Sequence, residues 1–154
     1  MTIYISRTDL ARNTRKTIER ARKEGPIMVE SYGEEQVVIL DAIDYRLMSA
    51  AVGYQSRLEP PTDEPIALPV GLSDEEVKQL AVDTAGDPQA IWDRVMFAYL
   101  DHEISLGRAA GLLNLSRFDL QDRFHRLGIP IHIGPGTVDE ARMEYEVLTR
   151  TVGR

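Results

Sequence analysis

Arg7, Arg12, Arg15 and Lys16 sit close together near the start of the chain, in a stretch with helical patterning. Fixed positive charges at such spacing can neutralise successive phosphates of a nucleic acid and release its condensed counterions. The same charges also suit a solvated helix surface, and side-chain type alone does not separate the two uses. The total charge of -7 argues against nucleic acid, but its distribution does not. Residues 1–25 hold seven Lys/Arg against three Asp/Glu, whereas residues 59–93 hold nine Asp/Glu against one lysine. Electrostatic fields fade over a Debye length of about 8–10 Å, so a local basic patch keeps its grip on phosphate.

Two further groups have side chains suited to recognition. Arg117, Gln121 and Arg123 fall on a short helix and offer donors of the kind that bond phosphates and base edges. Asp119 and Asp122 on the same helix oppose phosphate, so this second candidate surface serves either DNA or a partner protein. Ile66, Leu68, Val70 and Leu72 lie in an acidic stretch broken by prolines, with Trp92 further on. Such a stretch can order along a partner, with these apolar side chains as anchors. For Trp92 the competing reading is a core residue of its own helix.

Catalytic constellations are missing from the sequence. His102, His125 and His132 are far apart in the chain and lack metal-ligand spacing. The sequence has no cysteine, nucleophile elbow, P-loop or H-E-x-x-H motif, and Gly134-Pro135-Gly136 is too short for a phosphate loop. The acid cluster around Asp101, His102 and Glu103 is explained by helix-surface charge. The expectation is a protein that is not an enzyme and takes no cofactor or metal. The lack of cysteine fits a reducing cytoplasm, and no apolar run approaches the roughly 18 residues that span a bilayer.

These groups must be positioned by an α+β arrangement. A short apolar strand at residues 1–6 leads to Ser6, an N-cap with Asp9 in capping-box spacing. One basic helix is predicted from there to Gly25-Pro26, with Leu10, Thr14, Ile18 and Ala21 on its apolar face. Ile27 to Ser31 and Gln36 to Leu40 read as a hairpin around Gly33. Asp41 caps a second helix whose stripe is Ile43, Leu47, Ala50, Ala51, Tyr54 and Leu58. Residues 1–58 therefore form a β-α-β-β-α module, small enough that pairing with a second copy would help bury its core.

Residues 59–72 read as an acidic, proline-rich linker. Residues 73–154 read as a mainly helical domain. Ser73 with Glu76 caps a helix to about Thr84, and Asp87-Pro88 starts another that runs to about His102 with Ile91, Val95, Ala98 and Tyr99 inward. At 104–129 a short helix (Leu106, Ala109, Ala110, Leu113), a turn at Asn114-Leu115 and a second helix capped by Ser116 and ended by Gly128 follow helix-turn-helix spacing. The tail reads as a short strand, a turn and a final helix with Thr137 and Glu140 in capping-box spacing.

Residues 1–58 resemble the Phd/YefM (prevent-host-death) antitoxin family. The matching residues are Ile5-Ser6, Ala11-Arg12-Asn13, the Gly25-Pro26-Ile27-Met28-Val29 strand, the Val37-Val38-Ile39-Leu40 strand and Asp44-Tyr45. The chain departs from the common pattern in Arg12-Asn13, displaced slightly toward the C-terminus, and in Glu30-Ser31, where Thr-Arg is frequent. Residues 104–129 resemble the Fis-type helix-turn-helix through the paired alanines, the Leu113-to-Arg117 turn and Leu127-Gly128-Ile129. Residues 88–148 are similar to a small antitoxin-like bacterial helix-turn-helix family, through the run from Ile104 to Ala110, Leu115-Ser116-Arg117 and Gly128-Ile129-Pro130.

The resemblance implies a type II antitoxin: a homodimer paired through sheet and helices that sets its first strand and basic helix on operator DNA and represses its own operon. The segment beyond the second helix would wrap and inhibit a toxin. A PIN-class ribonuclease, whose carboxylates would accept Arg142 or Arg150, and an RelE-like toxin with a basic surface both remain open as partner. A stand-alone transcriptional regulator with a helix-turn-helix and no toxin partner is the alternative.

Overall fold

A computed structural model describes residues 2–57, 71–132 and 142 of the chain. The fold is mixed α+β and mostly helical. The chain divides into two compact units, Met1–Tyr45 and Arg46–Arg154. The expected linker falls almost wholly outside the described residues, as does nearly all of the tail.

In the first unit β1 (Ile3–Ser6) is followed by α1 (Arg7–Arg12), α2 (Thr14–Glu24), β2 (Ile27–Ser31), β3 (Glu34–Ile39) and the start of α3 (Ala42–Arg57). The three strands lie in the order β1-β2-β3. β1 pairs parallel with β2 (Ile3 opposite Ile27), and β2 pairs antiparallel with β3 (Ile27 opposite Ile39), with an irregularity between Val29 and Glu30. Tyr32 and Gly33 connect β2 to β3 with φ of 55° and 79°. Two successive left-handed residues make the turn whose twist matches that of paired strands. Thr17 and Ala21 of α2 are buried, as are Ile27 and Val29 of β2. α1 and α2 pack on β1 and β2, which leaves β3 an exposed edge.

Two expectations for this unit need correction. The single basic helix is two helices, broken at Asn13 (φ -128°, ψ 35°). The Thr14 hydroxyl donates to the Leu10 carbonyl (2.8 Å), and a Thr side chain that bonds nearby backbone competes with helix continuation. The buried face of α2 is Thr17 and Ala21, while Ile18 is 49% exposed. The break shifts the helix phase, so a face counted straight through from Leu10 rotates away from the sheet.

The second unit contains the rest of α3, then α4 (Asp74–Asp83), α5 (Pro88–Leu100), α6 (Leu106–Leu112) and α7 (Arg117–Leu127). Tyr54 of α3 packs on Phe97 of α5 with ring centroids 5.8 Å apart, and Arg57 lies 4.6 Å over the same ring. Met96 and Tyr99 of α5, Leu106 of α6, and Leu120 and Phe124 of α7 form the fully buried centre. The predicted caps that fall among the described residues of this unit are made, and the Thr137–Glu140 box lies outside them. Ser73 and Glu76 exchange both capping-box bonds, Asp87 caps Gln89 N–H (3.0 Å) ahead of Pro88, and Ser116 caps Asp119 N–H (3.0 Å). The Ser73 bonds hold the Glu76 carboxyl below its usual range. No strand is formed at 129–132.

α4, α5, α6 and α7 all end in the same way. A left-handed residue lets the next backbone N–H reach back to a carbonyl in the last turn: Gly86 to Ala81, Glu103 to Ala98, Leu115 to Ala110 and Ile129 to Phe124. The left-handed positions are Ala85, His102, Asn114 and Gly128. Only glycine takes that conformation without steric cost. Replacing Ala85 (φ 51°) by glycine removes a left-handed steric cost of roughly 1–2 kcal/mol against an entropy loss of roughly 0.4–1 kcal/mol, and is therefore expected to raise unfolding free energy by about 1 kcal/mol or less. A thermal or urea melt checks this; a lower midpoint would contradict the assigned geometry.

Candidate nucleic-acid interface

The first unit sets its cations by helix capping. The Ser6 hydroxyl accepts from Asp9 N–H (3.0 Å) and donates to the Asp9 carboxylate (2.7 Å), which fixes the start of α1 with Arg7 as its first residue. Arg12 closes α1. Beyond the break at Asn13, Arg15, Lys16, Arg20, Arg22 and Lys23 belong to α2.

The structure sorts these cations by partner. Arg15 pairs with Glu19 (3.3 Å), Arg20 with Glu24 (3.1 Å) and Arg22 with the buried Asp41 (3.6 Å). Arg7, Arg12, Lys16 and Lys23 are exposed and make no ion pair among the described residues. Of the four cations expected to meet phosphate, three are thus open. The fourth, Arg15, is held by a solvated carboxylate from which it can exchange, since exposed pairs of this kind are weak. Lys23 was left out of the expected site. Its signal is its spacing, seven residues after Lys16, which returns it to the same helix face.

The opposite side of the sheet has a different character. Tyr4, Met28 and Val38 are cross-strand neighbours in one row, on the face away from the buried Ile27 and Val29. Tyr4 and Val38 are exposed. The Glu35 carboxylate raises the Tyr4 phenol above its ordinary value, chiefly by hydrogen bonding.

The second candidate surface is not as expected. Arg117 is exposed and Gln121 half-buried, but Arg123 is buried, its side chain 10% exposed and its Nε 3.3 Å from both Asp119 carboxylate oxygens. Helix phase explains this: Arg123 lies next to Phe124 and three residues after the buried Leu120, on the side of α7 that packs inward. The most exposed apolar side chain of α7 is Phe118.

The apolar anchors fare similarly. Ile66, Leu68 and Val70 lie outside the described residues, and Trp92 is half-buried in α5. Leu72 is core, not a free anchor. Arg108 explains its position, donating to the Leu72 carbonyl (3.2 Å) and to Asp74 (2.7 Å) and so fastening this segment to α6. Arg142 is exposed, and Arg150 lies outside the described residues.

Two groups come together that the sequence kept apart. The His102 and His132 rings have centroids 4.1 Å apart. Tyr54 donates to Asp101 (2.7 Å), which pushes its phenol up to about 12. No three His, Asp or Glu side chains converge as metal ligands among the described residues. No helix among them is long and apolar enough to cross a membrane. No family model, curated protein or solved structure matches this chain.

Proposed function

We propose that this chain is the antitoxin of a type II toxin–antitoxin system, which binds and neutralises a cognate toxin in the cytoplasm and represses its own operon. The observation that carries the reading is the set of cations on α1 and α2 that have no carboxylate partner among the described residues, in a chain of net charge -7. Exposed cations clustered on two successive helices are the electrostatic footprint of phosphate binding. Support for pairing with a second copy comes from the open β3 edge and from the Tyr4–Met28–Val38 row, of which Tyr4 and Val38 are exposed, since exposed edges and apolar faces of this kind are ordinarily covered.

The chain would act without a cofactor. The toxin's class, PIN-type ribonuclease or RelE-like, is left to the experiment. The test is co-expression with the product of the neighbouring gene, alongside titration of the purified protein against its own promoter fragment. Rescue of growth together with salt-dependent promoter binding is expected. Failure of both would overturn the reading.

One observation favours a second reading, a stand-alone regulator: α6 and α7 are joined by the short turn Leu113–Ser116, with α7 capped at both ends. Promoter binding without rescue by any neighbouring product would select it.

A further inference from the structure

Tyr99, near the end of α5, is fully buried and makes three links to the segment that follows α7. Its hydroxyl donates to the Pro130 carbonyl (3.1 Å) and accepts from the His132 backbone N–H (2.9 Å). Its carbonyl oxygen lies 2.7 Å from His132 Nε2. A carbonyl only accepts, so Nε2 carries a proton in this arrangement and Nδ1 is where His132 gains its second. The two rings also stack, centroids 4.0 Å apart and planes 11° from parallel. His102 completes the group. It follows α5 in the left-handed conformation (φ 60°), donates its N–H to the same Tyr99 carbonyl (3.0 Å) and places its ring 4.1 Å from that of His132.

The surroundings contain little to neutralise two imidazolium charges. Of the carboxylates that flank His102, Glu103 is paired with Arg94 (3.7 Å), and Asp101, which keeps its charge, accepts from the Tyr54 hydroxyl. α7 meets Tyr99 through the uncharged ring of Phe124, 5.2 Å away. Around Phe124 the ionisable residues of α7 are Arg123, His125 and Arg126, with the exposed Asp122 one residue further. The end of the α5 dipole favours one cation, but two like charges at ring-stacking distance repel.

We propose that His102 and His132 form a proton-operated latch, which holds residues 129–132 against the end of α5 while both rings are neutral and lets go once both are charged. Burial presses the His132 imidazole below its ordinary value, against the bond to the Tyr99 carbonyl, which raises it, and the neighbouring His102 adds a smaller lowering. A depressed histidine favours the folded state in its neutral form. The latch is therefore fully closed above the ordinary histidine value of about 6.5 and weakens as pH falls through the lower folded value.

The test is hydrogen exchange of the full chain from about pH 7.5 to about pH 5, spanning the ordinary histidine range, with an imidazole NMR titration. The His132 amide is expected to lose at least roughly tenfold protection, after correction for intrinsic exchange, while the Val95 amide in α5 stays protected. His102→Gln, which removes the like charge, is expected to move the opening to lower pH. His132→Gln keeps an amide donor for the Tyr99 carbonyl and is expected to abolish the pH dependence. Unchanged His132 protection down to pH 5, simultaneous loss at Val95, or a His132 midpoint at or above the ordinary value would overturn the proposal. The titration of the parent protein decides the matter even if a variant fails to fold. The latch does not depend on the proposed DNA or toxin binding.

Discussion

Phe124→Ala is expected to cost about 3–5 kcal/mol of unfolding free energy, lowering the melting midpoint of the second unit by roughly 10–20 °C. Phe124 is fully buried, stands with Leu120 on the inner face of α7 and packs its ring 5.2 Å from Tyr99. Truncation removes the transfer energy of the ring and leaves a cavity that Tyr99 cannot fill. Tyr99 is fixed by its hydroxyl bond to Pro130 and by the His132 ring stacked on it. Phe118→Ala on the same helix is the control. That side chain is 76% exposed, and its removal is expected to change stability by no more than about 0.5 kcal/mol. Calorimetry or a urea melt of both variants checks the pair. Equal shifts would mean that α7 presents a different face to the core.

The second large effect concerns DNA. Arg12→Ala combined with Lys16→Ala is expected to reduce the slope of log affinity against log salt by about 2 and to weaken promoter binding roughly tenfold or more at ~0.1 M salt. Both side chains are exposed without an ion-pair partner among the described residues, so each is free to meet a phosphate. Arg20→Ala is the matched control, because Arg20 is held by Glu24 through Nε and Nη2. It is expected to leave the slope nearly unchanged. Arg15→Ala should fall between the two, since its Glu19 pair is solvent-exposed and yields easily. Anisotropy titrations at several salt concentrations measure all three. An unchanged slope in the double variant would remove α1 and α2 from the interface while leaving toxin neutralisation open.

Much of this architecture was legible because its determinants are local. The Ser6 cap with Asp9, the Ser73–Glu76 box, the Asp87-Pro88 start, the Ser116 cap and the left-handed Gly128 each act within a few residues of chain. The hairpin is local too: Tyr32 and Gly33 turn the chain between two strands rich in β-branched residues. Interactions of this range depend on side-chain type and spacing, and the amino-acid order carries both.

What the order alone left open depends on where distant segments meet. β1 pairs with β2 across α1 and α2, and no local signal chooses a parallel partner. Arg22 is withdrawn from the open cations by Asp41, nineteen positions away. Leu72 and Arg123 look available for partners until packing against the helical unit buries them. His102 and His132 become neighbours only because α7 returns the chain to the end of α5. The physical reason is common to all four: burial and long-range pairing are set by the path of the backbone in space, whereas caps and turns are set by residues already adjacent along it.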